Sequence, residues 1–453
     1  MNEVKIKEST RFVEGSLAKE MLRFAAPLLA TSILLQLFNT FDSSIAGLFI
    51  SERALAAVGS TTMISTFFIE FFMGFSNAAG VVISRFMGKG AADRANKAVS
   101  TSVIVAFLCG LLIAVTGVLY SRPLLILMKV PDNILDPATV YLKLYLASMP
   151  FFMLYQFCAT IFRSGGDTKT PMFCLVASGA LKVGLDFILV LALDMEILGM
   201  ALATVLANVF GAVILLFFLA RRNDFLRLRL KNLSVDFETV RSLLAIGLPS
   251  AFLGSVFSVS NLMVQSAINS LGTDAIAATT AAGNIEIYIQ FIGNAFASAA
   301  ITFTAQNHGA KRVDRLKLIP VIAILLCDAV SLPLSLLSYA FAPTLLRMFV
   351  TEGSVITLAI LRMRYTLLFK PIQAIMDIMS GTLQGYGYTL VPAVTSIFFV
   401  CGVRILWLNT YFAAHPSLGV LMFIYPITQT LASISHMLCY LRVKRRISKK
   451  YAV

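Results

Sequence analysis

Apolar runs long enough to cross a bilayer recur about twelve times along this chain, with short polar breaks between them. They fall at 20–46, 57–84, 98–120, 137–163, 170–193 and 197–220, and again at 243–270, 276–305, 318–340, 355–384, 388–413 and 417–442. About 20 apolar residues suffice to span hydrocarbon, where every backbone polar group must be satisfied within the segment, so each run reads as a helix. Composition agrees. The chain is 58% hydrophobic and 13% charged, against about 45–50% and about 25% in soluble domains. An all-α polytopic membrane protein is the expected fold class. The start, MNEVKIKESTRFVEGSLAKE, is polar with no apolar core before Met21, so the first run is expected to insert as a membrane helix, without a cleavable signal peptide.

The formal net charge of +14 would suit a nucleic-acid partner, but its distribution points to the lipid bilayer. Arg85, Lys89, Arg94 and Lys97 share a loop; Arg221, Arg222, Arg227, Arg229, Lys231 and Arg241 share another. Lys311, Arg312, Arg315 and Lys317 make a third group, and the tail carries KRRISKK. Alternating helices put all of these on one side, so the positive-inside rule places both termini in the cytoplasm. The six cysteines lie in apolar stretches with no CxxC spacing and read as reduced packing residues.

An internal repeat organises the chain. Gly88, Asp93, Arg94, Pro150, Gly166, Thr168 and Pro171 recur as Gly309, Asp314, Arg315, Pro371, Gly387, Thr389 and Pro392, all at one constant offset. Pro27 and Pro249 pair at the same offset plus one position. Six spans per half is an even number, so the copies insert in the same direction, as parallel repeats of the kind found in secondary transporters. The expected division is an N-lobe at 1–220, a basic linker at 221–242 and a C-lobe at 243–453.

Ionisable residues inside the spans are costly and mark function or pairing. Counted at about 1.5 Å of rise per helical residue, Asp42, Asp186 and Thr204 share the outer half of the first lobe. Two carboxylates and a hydroxyl at one depth can share a proton or hold a monovalent cation. Lys182 stands one turn before Asp186 on the same face; it either neutralises the aspartate or fills a cation's place with its own ammonium. Glu70, Arg163, Glu286, Asp328, Lys370, Asp377 and Arg404 are further intramembrane charges, lining a cavity or paired. Gln36, Asn39, Gln265 and Glu286 are candidate polar positions on a substrate cavity wall. No GxxxxGK[ST], HExxH or GxSxG motif occurs, so neither ATP hydrolysis nor an enzyme activity is indicated.

Several stretches carry a family resemblance across nearly the whole chain: FNTFDSSIAG after Pro27, ALAAVGS, SRFMGKGAADRA, FRSGGDTKTPM, GLDFILV, LGMALATVLANV, and the echoes AQNHGAKRVDR and LQGYGYTLVPA. The chain resembles multidrug and toxic compound extrusion (MATE) transporters. The resemblance implies a two-lobed, twelve-helix antiporter. A monomer is expected of a two-lobed chain, and the expected setting is the plasma (inner) membrane, with no cofactor. The antiporter would export small amphipathic, often cationic compounds against protons or sodium ions by alternating access. It also implies an N-lobe cation or proton site at Asp42 and Asp186 with Thr204. Where such sites often carry an asparagine one turn before the second aspartate, this chain has Lys182. Gly247–Asn269 lacks the acidic residue of the NorM branch, and Asp377 does not align with that branch's aspartate. The chain is thus more similar to the DinF branch, which favours protons. A flippase for a lipid-linked sugar or other envelope precursor is the alternative within the same superfamily.

Overall fold

The computed structural model describes residues 11–128, 130–229 and 233–451. Lys231, counted among the loop cations, and the polar start before Arg11 lie outside these. The described residues form helices and no strands. After a one-turn helix at Arg11–Glu14, the first repeat runs α1 (Leu17–Ile45), α2 (Glu52–Gly88), α3 (Ala92–Leu127), α4 (Asp132–Ala147), α5 (Met149–Ser164), α6 (Lys169–Asp186) and α7 (Glu196–Arg221). The second runs α8 (Phe237–Asn269), α9 (Thr273–Gly309), α10 (Val313–Ala340), α11 (Gly353–Leu367), α12 (Lys370–Gly385), α13 (Leu390–Ser396), α14 (Val403–Trp407) and α15 (Leu418–Tyr451).

Ten helices among the described residues are long and apolar enough to cross a membrane, and α4 with α5, bent by 45° at Ser148, makes an eleventh span. The bend precedes Pro150, which seats at the start of α5 where its missing N–H costs nothing. The uninterrupted run read at 137–163 is therefore a broken helix. Its counterpart is broken too: α11 and α12 start where the repeat places the starts of α4 and α5, and Pro371 opens α12 as Pro150 opens α5. This pair lies at the tenth run read from the sequence, 355–384. The repeat extends to backbone detail. Gly166 and Gly387 take φ of 85° and 86° in equivalent turns, a region open to glycine at little cost. The π-helical stretches Phe187–Ala192 and Leu408–Phe412 begin at equivalent positions.

Local chemistry sets the helix starts. Ser51 accepts the Ala54 N–H at 3.1 Å to cap α2. Asp236 caps α8, its Oδ2 accepting from Thr239 N (3.0 Å) and Thr239 Oγ1 (2.6 Å). That hydroxyl bond holds the Asp236 carboxyl below its ordinary range.

The chain forms two compact units. One consists of Ala30–Leu248; in the other, Pro249–Val453 is joined by Thr10–Leu29. Both changes of unit occur beside a proline inside a helix, Pro27 in α1 and Pro249 in α8, where the missing N–H weakens the ladder. In the second unit the early segment is buried: Phe12 stacks on Phe303 at 4.2 Å between ring centroids, and Phe24 meets Phe303 edge-on at 5.9 Å. Met21, Ile378 and Leu383 complete that core. Large apolar side chains elsewhere, such as Leu325, Leu337 and Val321 on α10, remain exposed, as lipid-facing positions do.

Candidate functional site

The site forms within the first unit, where α6 meets α1. Asp167 starts α6 by accepting the backbone N–H groups of Lys169 (3.1 Å) and Thr170 (2.9 Å) and the Thr170 hydroxyl (2.7 Å). From that start, Gly179, Lys182 and Asp186 follow at helical spacing on one side of α6. Gly179 leaves room for the Phe38 ring: a Cβ there would lie 2.1 Å from it. The ring therefore seats directly on the α6 backbone. Asp42, one turn beyond Phe38 on α1, comes level with Lys182, one turn beyond Gly179 on α6.

The result is a triad. The Lys182 ammonium donates to Asp42 Oδ1 and, at 2.9 Å, to Asp186 Oδ2. Its side chain is 11% exposed, that of Asp186 0% and that of Asp42 20%. The second oxygen of Asp186, Oδ1, is buried and hydrogen-bonds to no protein atom. Two carboxylates and one ammonium sum to one negative charge, so one proton brings the triad to neutrality. The ammonium lies between the two carboxylates and bonds to both. A π-helical stretch follows immediately after Asp186, a distortion frequent at functional sites.

Thr204 stays outside this hydrogen-bonded group, its hydroxyl donating to Met200 O at 3.0 Å. Tyr141, buried on α4, lies beside Thr204 and within electrostatic range of both aspartates. Sequence reasoning passed over Tyr141, because a tyrosine in an apolar run has no distinguishing spacing. Gln36 and Asn39 lie on α1 in the two turns before Asp42, Gln36 half-buried and Asn39 exposed. Gln265, on α8 in the second unit, donates to Asn269 Oδ1 at 3.0 Å in an exposed pair.

Glu286 belongs to a separate cluster in the second unit. It accepts from Arg362 Nη2 at 3.0 Å and from the Thr366 hydroxyl at 2.5 Å, so its carboxylate is held in an ion pair. Lys370 donates to Gln290 Oε1 (3.0 Å) and Gln373 Oε1 (2.9 Å). Lys370 and Asp377 share a small hollow with Gln290, Gln373, Cys327 and Ser331. Glu286, Arg362, Lys370 and Asp377 sum to zero charge. This cluster is balanced as it stands, whereas the triad of the first unit is one positive charge short. Arg362, which the sequence did not single out, is the partner that fixes Glu286.

The MatE family profile matches residues 27–188 and 249–408, covering both repeats and starting at Pro27 and Pro249. The chain is similar to the probable multidrug resistance protein YoeA of Bacillus subtilis, 28% identical over 86% of each chain. It is also similar to the probable multidrug resistance protein NorM of Thermotoga maritima, 24% identical over 85% of this chain and 84% of that one. The crystal structure of MATE in the bent conformation has the same fold, with a TM-score of 0.90, 21% identity and coverage of 98% and 99% of the two chains. On these grounds the chain belongs to the MatE family of membrane transporters.

Proposed function

We propose that this protein is a secondary active antiporter of the plasma membrane, with both termini cytoplasmic, that exports amphipathic, often cationic compounds in exchange for protons. The observation that carries the reading is the Lys182 ammonium held between Asp42 and Asp186, with Asp186 Oδ1 buried and unbonded. Relatives named for multidrug resistance support the substrate class. The triad's single unbalanced negative charge supports a proton as the coupling ion, and the lysine's position argues against sodium, in keeping with the DinF-like reading.

In this mechanism a proton entering from outside binds the Asp42/Asp186 pair, and the Lys182 ammonium loses one of its two charged partners. Phe38 and Asp42 on α1 are then less firmly tied to α6. The helix moves about its weak point at Pro27, contracts the substrate site, and releases the proton to the inside. Coupling requires that the proton bind one conformation more tightly than the other.

The test is accumulation of a fluorescent lipophilic cation in proteoliposomes under an imposed proton gradient and, separately, a sodium gradient. Proton-driven accumulation that is lost in Asp42→Asn is the expected result. Sodium-driven accumulation would overturn the assignment of the ion. No accumulation under either gradient would overturn the export reading in favour of a lipid-linked substrate.

A further inference from the structure

Arg404 is the buried cation of the second unit that its surroundings leave unbalanced. It lies on α14 within the span Leu390–Phe412 and is 4% exposed. Its Nη1 donates to Ser260 Oγ at 3.0 Å and to Asn261 Oδ1 at 3.3 Å, and its guanidinium lies 4.5 Å from the centroid of the Tyr425 ring. Its Nε is buried and bonds to no protein atom. Among the described residues no carboxylate pairs with it, whereas Lys182 holds two and Arg362 holds one.

Arg404 does not reach the interface to shed this cost. It sits two helical turns before Phe412, about 12 Å from that end of the span, and its head group turns toward Ser260, itself about 14 Å from the end of α8. An isolated charge at such depth is expensive, and neutral hydrogen-bond acceptors do not neutralise it. The repeat sharpens the point. Arg404 corresponds to Val183 and Asn261 to Asn39, so the second repeat carries a cation beside the position where the first carries Lys182, but has no counterpart of Asp42 or Asp186. π-helical stretches flank α14 on both sides, Ile397–Gly402 and Leu408–Phe412, as they do at many functional sites.

We propose that Arg404, with Ser260, Asn261 and Tyr425, forms a binding site for the anionic group of an amphipathic substrate, a carboxylate or sulfonate attached to a flat apolar body. The guanidinium supplies the charge and a planar fork of donors suited to such a group. Ser260 and Asn261 orient the fork, and Tyr425 offers an aromatic face to the organic portion. The proposal rests on the export reading and extends its substrate class to organic acids and zwitterions.

The single tryptophan of the chain, Trp407, provides the assay. It stands one turn beyond Arg404 on α14 and is fixed by its indole N–H donating to Val420 O at 3.1 Å. Energy transfer from Trp407 to a dansyl group reports binding in the purified full-length protein without any ion gradient. The probes are dansylglycine, an amphipathic carboxylate, and its uncharged amide. Wild type should bind the carboxylate about ten-fold or more tightly than the amide, the range expected for a charged hydrogen bond. Arg404→Gln should bind both equally. Asn261→Asp, which gives Arg404 a carboxylate of its own and preserves the packing, should lose the preference as well. Equal binding of both probes by wild type, or a preference unchanged in Arg404→Gln and Asn261→Asp, would overturn the proposal. So would a wild-type preference erased by physiological chloride, which would mean an inorganic anion occupies the site. Gradient-driven export of a lipophilic cation without any carboxylate preference would defeat this proposal alone. A carboxylate preference without gradient-driven export would defeat the export reading alone.

Discussion

Replacing Lys182 with alanine removes the charge that holds two buried carboxylates together. At 2.9 Å and an effective dielectric of about 20, the attraction between Lys182 and Asp186 is about 6 kcal/mol. Desolvation of both ions offsets much of that sum. The cost of the substitution lies in what remains: Asp42 and Asp186 face one another with nothing between them, and such a broken buried pair costs about 3–5 kcal/mol. Lys182→Ala should therefore melt well below wild type in detergent when the only cation is the bulky N-methylglucamine. The variant also vacates the position between the carboxylates, so a monovalent cation can enter. Sodium at about one hundred times its dissociation constant would return about 2.7 kcal/mol. The expected pattern is a sodium-dependent rise in melting temperature for Lys182→Ala and none for wild type. A variant as stable as wild type without sodium, or a wild type stabilised by sodium as strongly as the variant, would mean that Lys182 is not what holds the two carboxylates together.

Three further outcomes follow from the geometry. Gly179→Ala puts a Cβ 2.1 Å from the Phe38 ring; displacing the ring should cost about 1–3 kcal/mol, with partial recovery in Gly179→Ala/Phe38→Ala, both read by thermal melting. Glu286→Gln strands the Arg362 guanidinium, whose side chain is 16% exposed; a loss of about 3–5 kcal/mol is expected, and Glu286→Gln/Arg362→Met should lose less than Glu286→Gln alone. Asp236→Ala removes the cap of α8 at about 1 kcal/mol. Because the Asp236 carboxyl is held below its ordinary value by Thr239, the unfolded chain binds the proton more readily. Its contribution is thus full above the ordinary carboxylate range and lost as pH falls through the folded value, so the gap between wild type and Asp236→Ala should close in strong acid.

Much of the architecture was legible in the sequence because it rests on features that leave a spacing. The constant offset that pairs Pro150 with Pro371, and Gly166 with Gly387, returned as equivalent helix breaks and equivalent positive-φ turns. The shared face of Lys182 and Asp186 followed from their separation by one helical turn. What stayed hidden depended on how one helix is rotated against the next. Asp42 could be assigned a depth but not a face, since the face is set by Phe38 lying on Gly179, a contact between helices far apart in sequence. The same holds for Glu286, whose partner Arg362 lies 76 residues away, and for Arg404, whose neighbours come from α8 and α15. Pro27 and Pro249 were visible as a matched pair, but their position beside a change of compact unit reflects packing that no local pattern encodes.

Proton release on substrate binding separates a triad that couples export from one that only holds the helices together. On the mechanism proposed above the substrate-bound state disfavours the protonated triad, and the charge count of Asp42, Lys182 and Asp186 allows one exchangeable proton. Purified protein in weakly buffered detergent, at a pH where it starts protonated, is mixed with a lipophilic cation while a pH indicator is followed. Wild type should release about one proton per chain, and Asp42→Asn that still binds the compound should release none. Binding without proton release in wild type, or equal release from both proteins, would contradict proton coupling through the triad.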